Sequence, residues 1–167
     1  MFDVKTIPII ILPKADPPSI ESPYDDGVSV VVDEDHDLYL PHVQVVDPDD
    51  PEASYVLRAS TTHGAISLGV DAWVQSPLRY EVGDGDADKS IVARGPLSAV
   101  NAALAGLRYT PPRDFTASDQ IDLLVEDVTN YGRTASLTIP LRVLPSVAWN
   151  DAPVLKIPNE TRVGTPC

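Results

Sequence analysis

A chain of 167 residues, 43% of them hydrophobic, has apolar mass for one well-formed core and too little length for two large domains. Twelve Lys and Arg against 25 Asp and Glu leave a net charge of −13, which repels nucleic-acid phosphates and anionic membranes and sets both aside as partners. Seventeen prolines, and no long apolar face at helical spacing, point to short strands joined by punctuated turns.

In chain order, Thr6 to Leu12 is a β-branched run closed by Pro13 and followed by Asp16-Pro17-Pro18. Phe2 to Leu12 is apolar but lacks the basic start and small-residue cleavage site of a secretory leader. Val28–Val32 and Leu38–Val46 read as strands separated by Asp33-Glu34-Asp35. Tyr55–Ser60 and Ala65–Leu68 flank a Thr-His-Gly turn, in which Gly64 suits a tight bend. Leu78–Val82 and Ser90–Ala93 flank a loop, Gly83 to Asp88, too polar to be buried. Pro96 followed by Leu97, Val100 and Leu104 predicts one or two helical turns crossing between sheets. Ile121, Leu123 and Val125 alternate with Asp122, Leu124 and Glu126, and a turn at Asn130-Tyr131-Gly132 leads into a long strand, Ala135–Leu144. Seven to nine short strands at this spacing predict an all-β, immunoglobulin/cadherin-like two-sheet sandwich with one short helical crossover.

The chain also echoes itself. Thr6-Ile7-Pro8-Ile9-Ile10-Ile11-Leu12-Pro13 is answered by Thr138-Ile139-Pro140-Leu141-Arg142-Val143-Leu144-Pro145, with Ile139 standing 132 positions after Ile7. An acidic-proline stretch follows each copy, Asp16-Pro17-Pro18 and Asp151-Ala152-Pro153. The expected layout is a window on a tandem array. Residues 1–13 are the last strand of a preceding repeat and 18–145 a complete repeat; 146–153 are a linker, and 154–167 open the next repeat.

Leu40-Pro41-His42-Val43-Gln44-Val45-Val46-Asp47-Pro48-Asp49, after Glu34-Asp35, resembles the opening of cadherin-like and chondroitin-sulfate-proteoglycan-type tandem repeats of large extracellular surface proteins. Thr62-His63-Gly64-Ala65-Ile66-Ser67-Leu68 resembles their Gly-x-Leu-x-Leu hairpin. Val100-Asn101-Ala102-Ala103-Leu104-Ala105-Gly106-Leu107-Arg108-Tyr109-Thr110-Pro111, continuing through Phe115 and Asp119 to Glu126-Asp127, is similar to their most specific block. Asn150-Asp151-Ala152-Pro153 resembles their inter-repeat linker. Ala117 departs from the usual glycine, and Val70–Arg94 is longer than usual, which suggests an inserted loop. The resemblance implies a non-catalytic structural or adhesive module of a cell-surface protein or filament, such as a mastigoneme-like ciliary hair. Its implied partners are neighbouring repeats of the same chain, other copies, and surface glycoproteins or glycans.

Calcium takes six to eight hard oxygens, and the resemblance places such acids at the joints between repeats. The candidate ligands are Glu34, Asp47, Asp49, Asp127, Asn150 and Asp151, with Asp50 beside them and Asp16 at the preceding joint. An Asp-Pro-Asp-Asp-Pro run also serves as an ordinary solvated turn. Asp84-Gly85-Asp86-Ala87-Asp88 imitates the start of an EF-hand loop, but Gly95 stands where the closing Glu is needed, and it reads as a solvated loop.

Nothing singles out a catalytic group. His36, His42 and His63 have no zinc-type spacing, and no Gly-x-Ser-x-Gly elbow is present. The one cysteine, Cys167, is free for an intermolecular disulfide. Asn159-Glu160-Thr161 is an N-glycosylation sequon that an extracellular location would use. The alternative reading is a carbohydrate-binding module, which needs a planar row of exposed aromatics; Trp73 and Trp149 are its candidates, although Trp149 suits an interface between modules better.

Overall fold

The computed structural model describes residues 16–24, 26–48, 53–69, 78–129 and 132–146. Residues 1–15 and 147–167 lie outside it, so the flanking strands, the linker and the next repeat are not placed.

Eleven strands and one helix form the described chain: β1 (Ser19–Glu21), β2 (Val30–Asp33), β3 (Leu38–Tyr39), β4 (Gln44–Val46), β5 (Ser54–Thr61), β6 (Ala65–Ser67), β7 (Arg79–Val82), β8 (Ser90–Pro96), α1 (Leu97–Leu104), β9 (Arg108–Thr110), β10 (Ser118–Asp127) and β11 (Arg133–Leu144). One layer is a six-stranded sheet in the order β2-β11-β10-β5-β8-β7. The other layer is divided into β3-β9-β6 and β1-β4. Every pair is antiparallel except β2 with β11, where Val30 to Asp33 run alongside Leu141 to Leu144. The protein is an all-β sandwich with one helical crossover.

Period-two patterning builds the core. β10 turns Ile121, Leu123 and Val125 inward, all at most 2% exposed; Leu123 and Val125 lie opposite Ala59 and Leu57 of β5, and Leu57 opposite Ala93 of β8. Each such side chain contributes about 1.5–3 kcal/mol of burial. The predicted helix is present: α1 leaves β8 in the large sheet and delivers the chain to β9 in the small one. Leu97, Val100 and Leu104 form its buried face. Asn101 fixes the helix to β4, accepting from Val45 N–H at 2.7 Å and donating to Val45 C=O at 2.9 Å, so its amide acts as one more rung of sheet.

Three expectations need correction. Leu38–Val46 is two strands in two sheets, because the chain turns at Pro41-His42, where His42 takes φ 67°. Tyr55–Ser60 and Ala65–Leu68 are not a hairpin: β5 belongs to the large sheet and β6 pairs with β9 in the small one, so residues 62–64 arch across the sandwich. Gly64 is required there by close approach rather than by bending, since a Cβ would overlap the Tyr109 ring and stand 2.7 Å from Thr110 C=O. The supposed insertion is in part regular sheet, with β7 and β8 forming the hairpin at one edge. β1 and β9 carried too few residues to register as strands, which accounts for the undercount.

Candidate functional site

The two ends of the sandwich hold the acids that the sequence singles out. β10 spans ten residues, about 30 Å of extended chain, and its termini mark those ends. At the leading end β1 brings the chain in, with Ser19 opposite Val46 and next to Asp47. Asp47 is 7% exposed and accepts a 2.9 Å bond from Tyr55 O–H. Tyr55 is the register partner of Asp127, which is fully buried and accepts from Thr129 N–H at 2.8 Å, closing the turn after β10.

At the trailing end β11 leaves at Leu144, whose C=O accepts from Glu34 N–H at 2.8 Å. The Glu34 carboxylate in turn accepts from Ser146 N–H at 3.0 Å. Asp47 and Asp127 therefore lie at the same end, both beside Tyr55, while Glu34 stands at the opposite end. Asp49, Asp50, Asn150, Asp151, Asn159, Cys167, Trp73 and Trp149 lie outside the described residues. Among the described residues no three His, Cys, Asp or Glu side chains converge as a metal site.

The best-built polar centre lies at a residue that has no role in the sequence analysis beyond its place in the resemblance. Asp119, the first inward residue of β10, has a fully enclosed side chain. Its carboxylate accepts from Tyr109 O–H at 2.7 Å, Thr61 O–H at 2.9 Å and Gln120 N–H at 2.9 Å. It also accepts from the consecutive arch amides of Thr62, His63 and Gly64 at 3.2, 3.2 and 2.9 Å. Burial alone would raise its pKa; bonds from Gly64, Tyr109, Gln120 and Thr61 outweigh burial and hold the carboxyl well below the usual range. Burial, then the bond to Asp119, pushes the Tyr109 phenol far up. A charged acid at an inward position of an alternating strand is the available signal, because such a group needs partners. His63 covers the arch, stacked on Phe115 at 4.8 Å between centroids.

The Gly83–Asp88 loop is exposed at Gly83, Asp84, Asp86 and Ala87, as expected, but Gly85 is buried and the loop is knitted. Asp88 accepts from Asp84 and Gly85 N–H, both at 2.9 Å, and Asp86 accepts from Ser67 O–H at 2.9 Å. Arg108 ties Asp86 at 3.3 Å to Asp37 at 3.0 Å across the small sheet. Two open hollows, of about 260 and 340 Å³, lie beside His63, Lys89 and Pro111 and beside His42, Gln44 and Asn101; neither lining contains a cysteine or a pair of carboxylates. Tyr39, 66% exposed, is the one strongly exposed aromatic side chain among the described residues, so those residues form no aromatic row for a sugar.

No family model and no curated protein matches the chain. Solved structures with some likeness include cohesin modules. That of the OlpA cohesin–dockerin complex of Clostridium thermocellum is 12% identical at a TM-score of 0.47, covering 77% of this chain and 100% of that one. A cohesin module of a Clostridium perfringens family 33 glycoside hydrolase is 10% identical at 0.43, covering 78% and 97%. The OlpC cohesin–dockerin complex of Clostridium thermocellum is 11% identical at 0.41, covering 81% and 100%. At scores this low neither fold nor function is argued from the likeness, and the sandwich rests on the chain's own strand pairing. No helix among the described residues is long and apolar enough to cross a membrane.

Proposed function

We propose that the protein is a non-catalytic structural or adhesive module of a long extracellular surface protein or filament, strung end to end with similar modules. The observation that carries this reading is the path of the chain: it comes in at the leading end beside Asp47 and leaves at the trailing end beside Glu34, as a linear array requires. The echo of Thr6–Leu12 in Thr138–Leu144 supports it from the sequence side. The cadherin-like and ciliary-hair readings rest on the sequence motifs alone. Antibody labelling of intact against permeabilised cells of the source tests the location: label on intact cells or shed filaments is expected, and label confined to the cytoplasm overturns the reading.

Calcium at the joints belongs to the same proposal. Each joint would join a trailing Glu34 and Asn150-Asp151 to the leading acids of the next module, which accommodates the distance between Glu34 and Asp127 within one module. Calorimetric titration is expected to give binding in the extracellular-module range of about 10⁻⁴–10⁻³ M, with a raised melting temperature that chelator reverses. No heat and no shift would remove calcium and leave joints held by packing.

A further inference from the structure

The outer face of the large sheet departs from the charge of the rest of the chain. Strand register places Arg58, Arg79 and Arg94 on that face, on neighbouring strands β5, β7 and β8: Arg94 lies opposite Arg79 on one side and Val56 on the other, and Arg58 lies opposite Val92. All three arginines are exposed. None forms an ion pair with a described residue, and Arg94 donates only to Ser54 Oγ, at 3.2 Å. Between them Val56 and Val92 are 6% and 9% exposed, and Val82 beside Val92 is left 48% exposed. Glu126, opposite Val56, is the one acid in register in these two rows, and the exposed Glu81 stands at the bulge between them on β7. Three of the chain's 12 cationic side chains thus stand on one face with apolar residues among them.

We infer that this arginine-lined face of β5, β8 and β7 docks the acidic surface of a second copy of the chain. Charge complementarity points to that occupant: the chain carries −13 overall, and Asp33, the last residue of β2, and Asp35, on the turn after it, are exposed with no side-chain bond to a described residue. The carboxylates of Asp84 and Asp88, by contrast, already accept from amides of their own loop, and that of Asp86 is held by Ser67 and Arg108. Two arginine faces cannot meet about a two-fold axis without opposing like charges. The contact is therefore patch against acid, with both halves on every copy: copies either close about a two-fold axis, each patch on the other's acids, or add head to tail as an open lateral assembly. The inference deepens the filament reading and rests on it.

Arginine suits the task because its stem packs on the valines while its fork takes carboxylates in pairs. The net repulsion of two acidic chains extends about 30 Å at 0.01 M salt and about 10 Å at 0.1 M, so local attraction is expected to prevail at the higher of these and to be screened again near 1 M.

Sedimentation velocity over a concentration series tests this on the whole chain. Wild type is expected to associate as concentration rises near 0.1 M salt, levelling at dimer for two-fold closure and growing further for head-to-tail addition, and to lose the association near 1 M salt. Arg58→Glu/Arg94→Glu is expected to stay monomeric, and Arg113→Glu, on an exposed loop away from the patch, to behave as wild type. Circular dichroism melting identifies a variant that has merely unfolded, and Arg58→Gln/Arg94→Gln then replaces it. A monomer under all conditions overturns the inference. So does a monomer that a sulfated polysaccharide column retains through the same arginines, which would make the ligand an anionic glycan. A chain that labels at the cell surface yet sediments as a monomer fails here alone and leaves the module reading standing.

Discussion

Asp119→Asn is expected to destabilise the protein by about 3–5 kcal/mol at neutral pH, the cost of breaking a buried, fully hydrogen-bonded charge. The substitution keeps the shape and removes the charge. One amide oxygen cannot serve the donors now converging on two carboxylate oxygens, and the new NH₂ points a donor at donors. Against a typical total of about 5–15 kcal/mol this is a large fraction, and the melting temperature should fall by roughly 10 °C or more. Tyr109→Phe removes one charge-assisted bond and should cost about 1.5–3 kcal/mol. The pH dependence separates charge from shape. The folded pKa of Asp119 is lowered, so its contribution is complete above the unfolded value of about 3.9 and is lost as pH falls through that value toward the folded one. Urea unfolding should therefore show the gap between wild type and Asp119→Asn closing as pH drops below about 4. A gap of constant size at every pH would mean that the carboxylate's charge is not what holds the arch.

That centre shows where sequence reading succeeded and where it stopped. Ile121, Leu123 and Val125 announced β10 because a strand with one dry face must alternate, and alternation is local. Leu97, Val100 and Leu104 announced α1 for the same reason at another period. The arch was illegible because two apolar runs around a Thr-His-Gly turn look alike whether they pair with each other or part into two sheets. The choice is made by β9 and by a carboxylate 55 positions further on, which holds the Gly64 amide. His42 was illegible in another way: Leu38–Val46 keeps its apolar character through the break, and Pro41 was the one residue speaking against a continuous strand. Asp47 and Asp127 read from the sequence as candidate calcium ligands at a joint. Their burial follows from partners, Tyr55 and the Thr129 amide, that only the folded chain supplies.

Gly106→Ala is expected to cost about 3 kcal/mol or more, at the upper end of what overpacking does. Gly106 does not take a positive φ, so its role is the absence of a side chain. It follows α1 and lies back to back with Gly69: a Cβ on Gly106 would overlap Gly69 Cα, and one on Gly69 would stand 3.0 Å from Ala102 C=O and from Gly106 Cα. Neither backbone is free to retreat. Gly69 N–H is bonded to Ala103 C=O at 2.7 Å, and the turn after α1 is pinned by Leu104 and Leu107, at most 1% exposed. Gly27→Ala is the contrasting control, because Gly27 takes φ 74° with open space around it and should pay only the left-handed penalty of about 1–2 kcal/mol. Urea midpoints of the two variants measure the difference, and equal losses would show that the helix end yields to an added methyl. A large loss at Gly106 would mean that the crossover and the arch are one rigid assembly, with α1 seated on the residues that follow β6. The glycine in the Leu104-Ala105-Gly106-Leu107 block would then serve contact between two crossings of the sandwich, which period-based reading of either segment alone has no means of detecting.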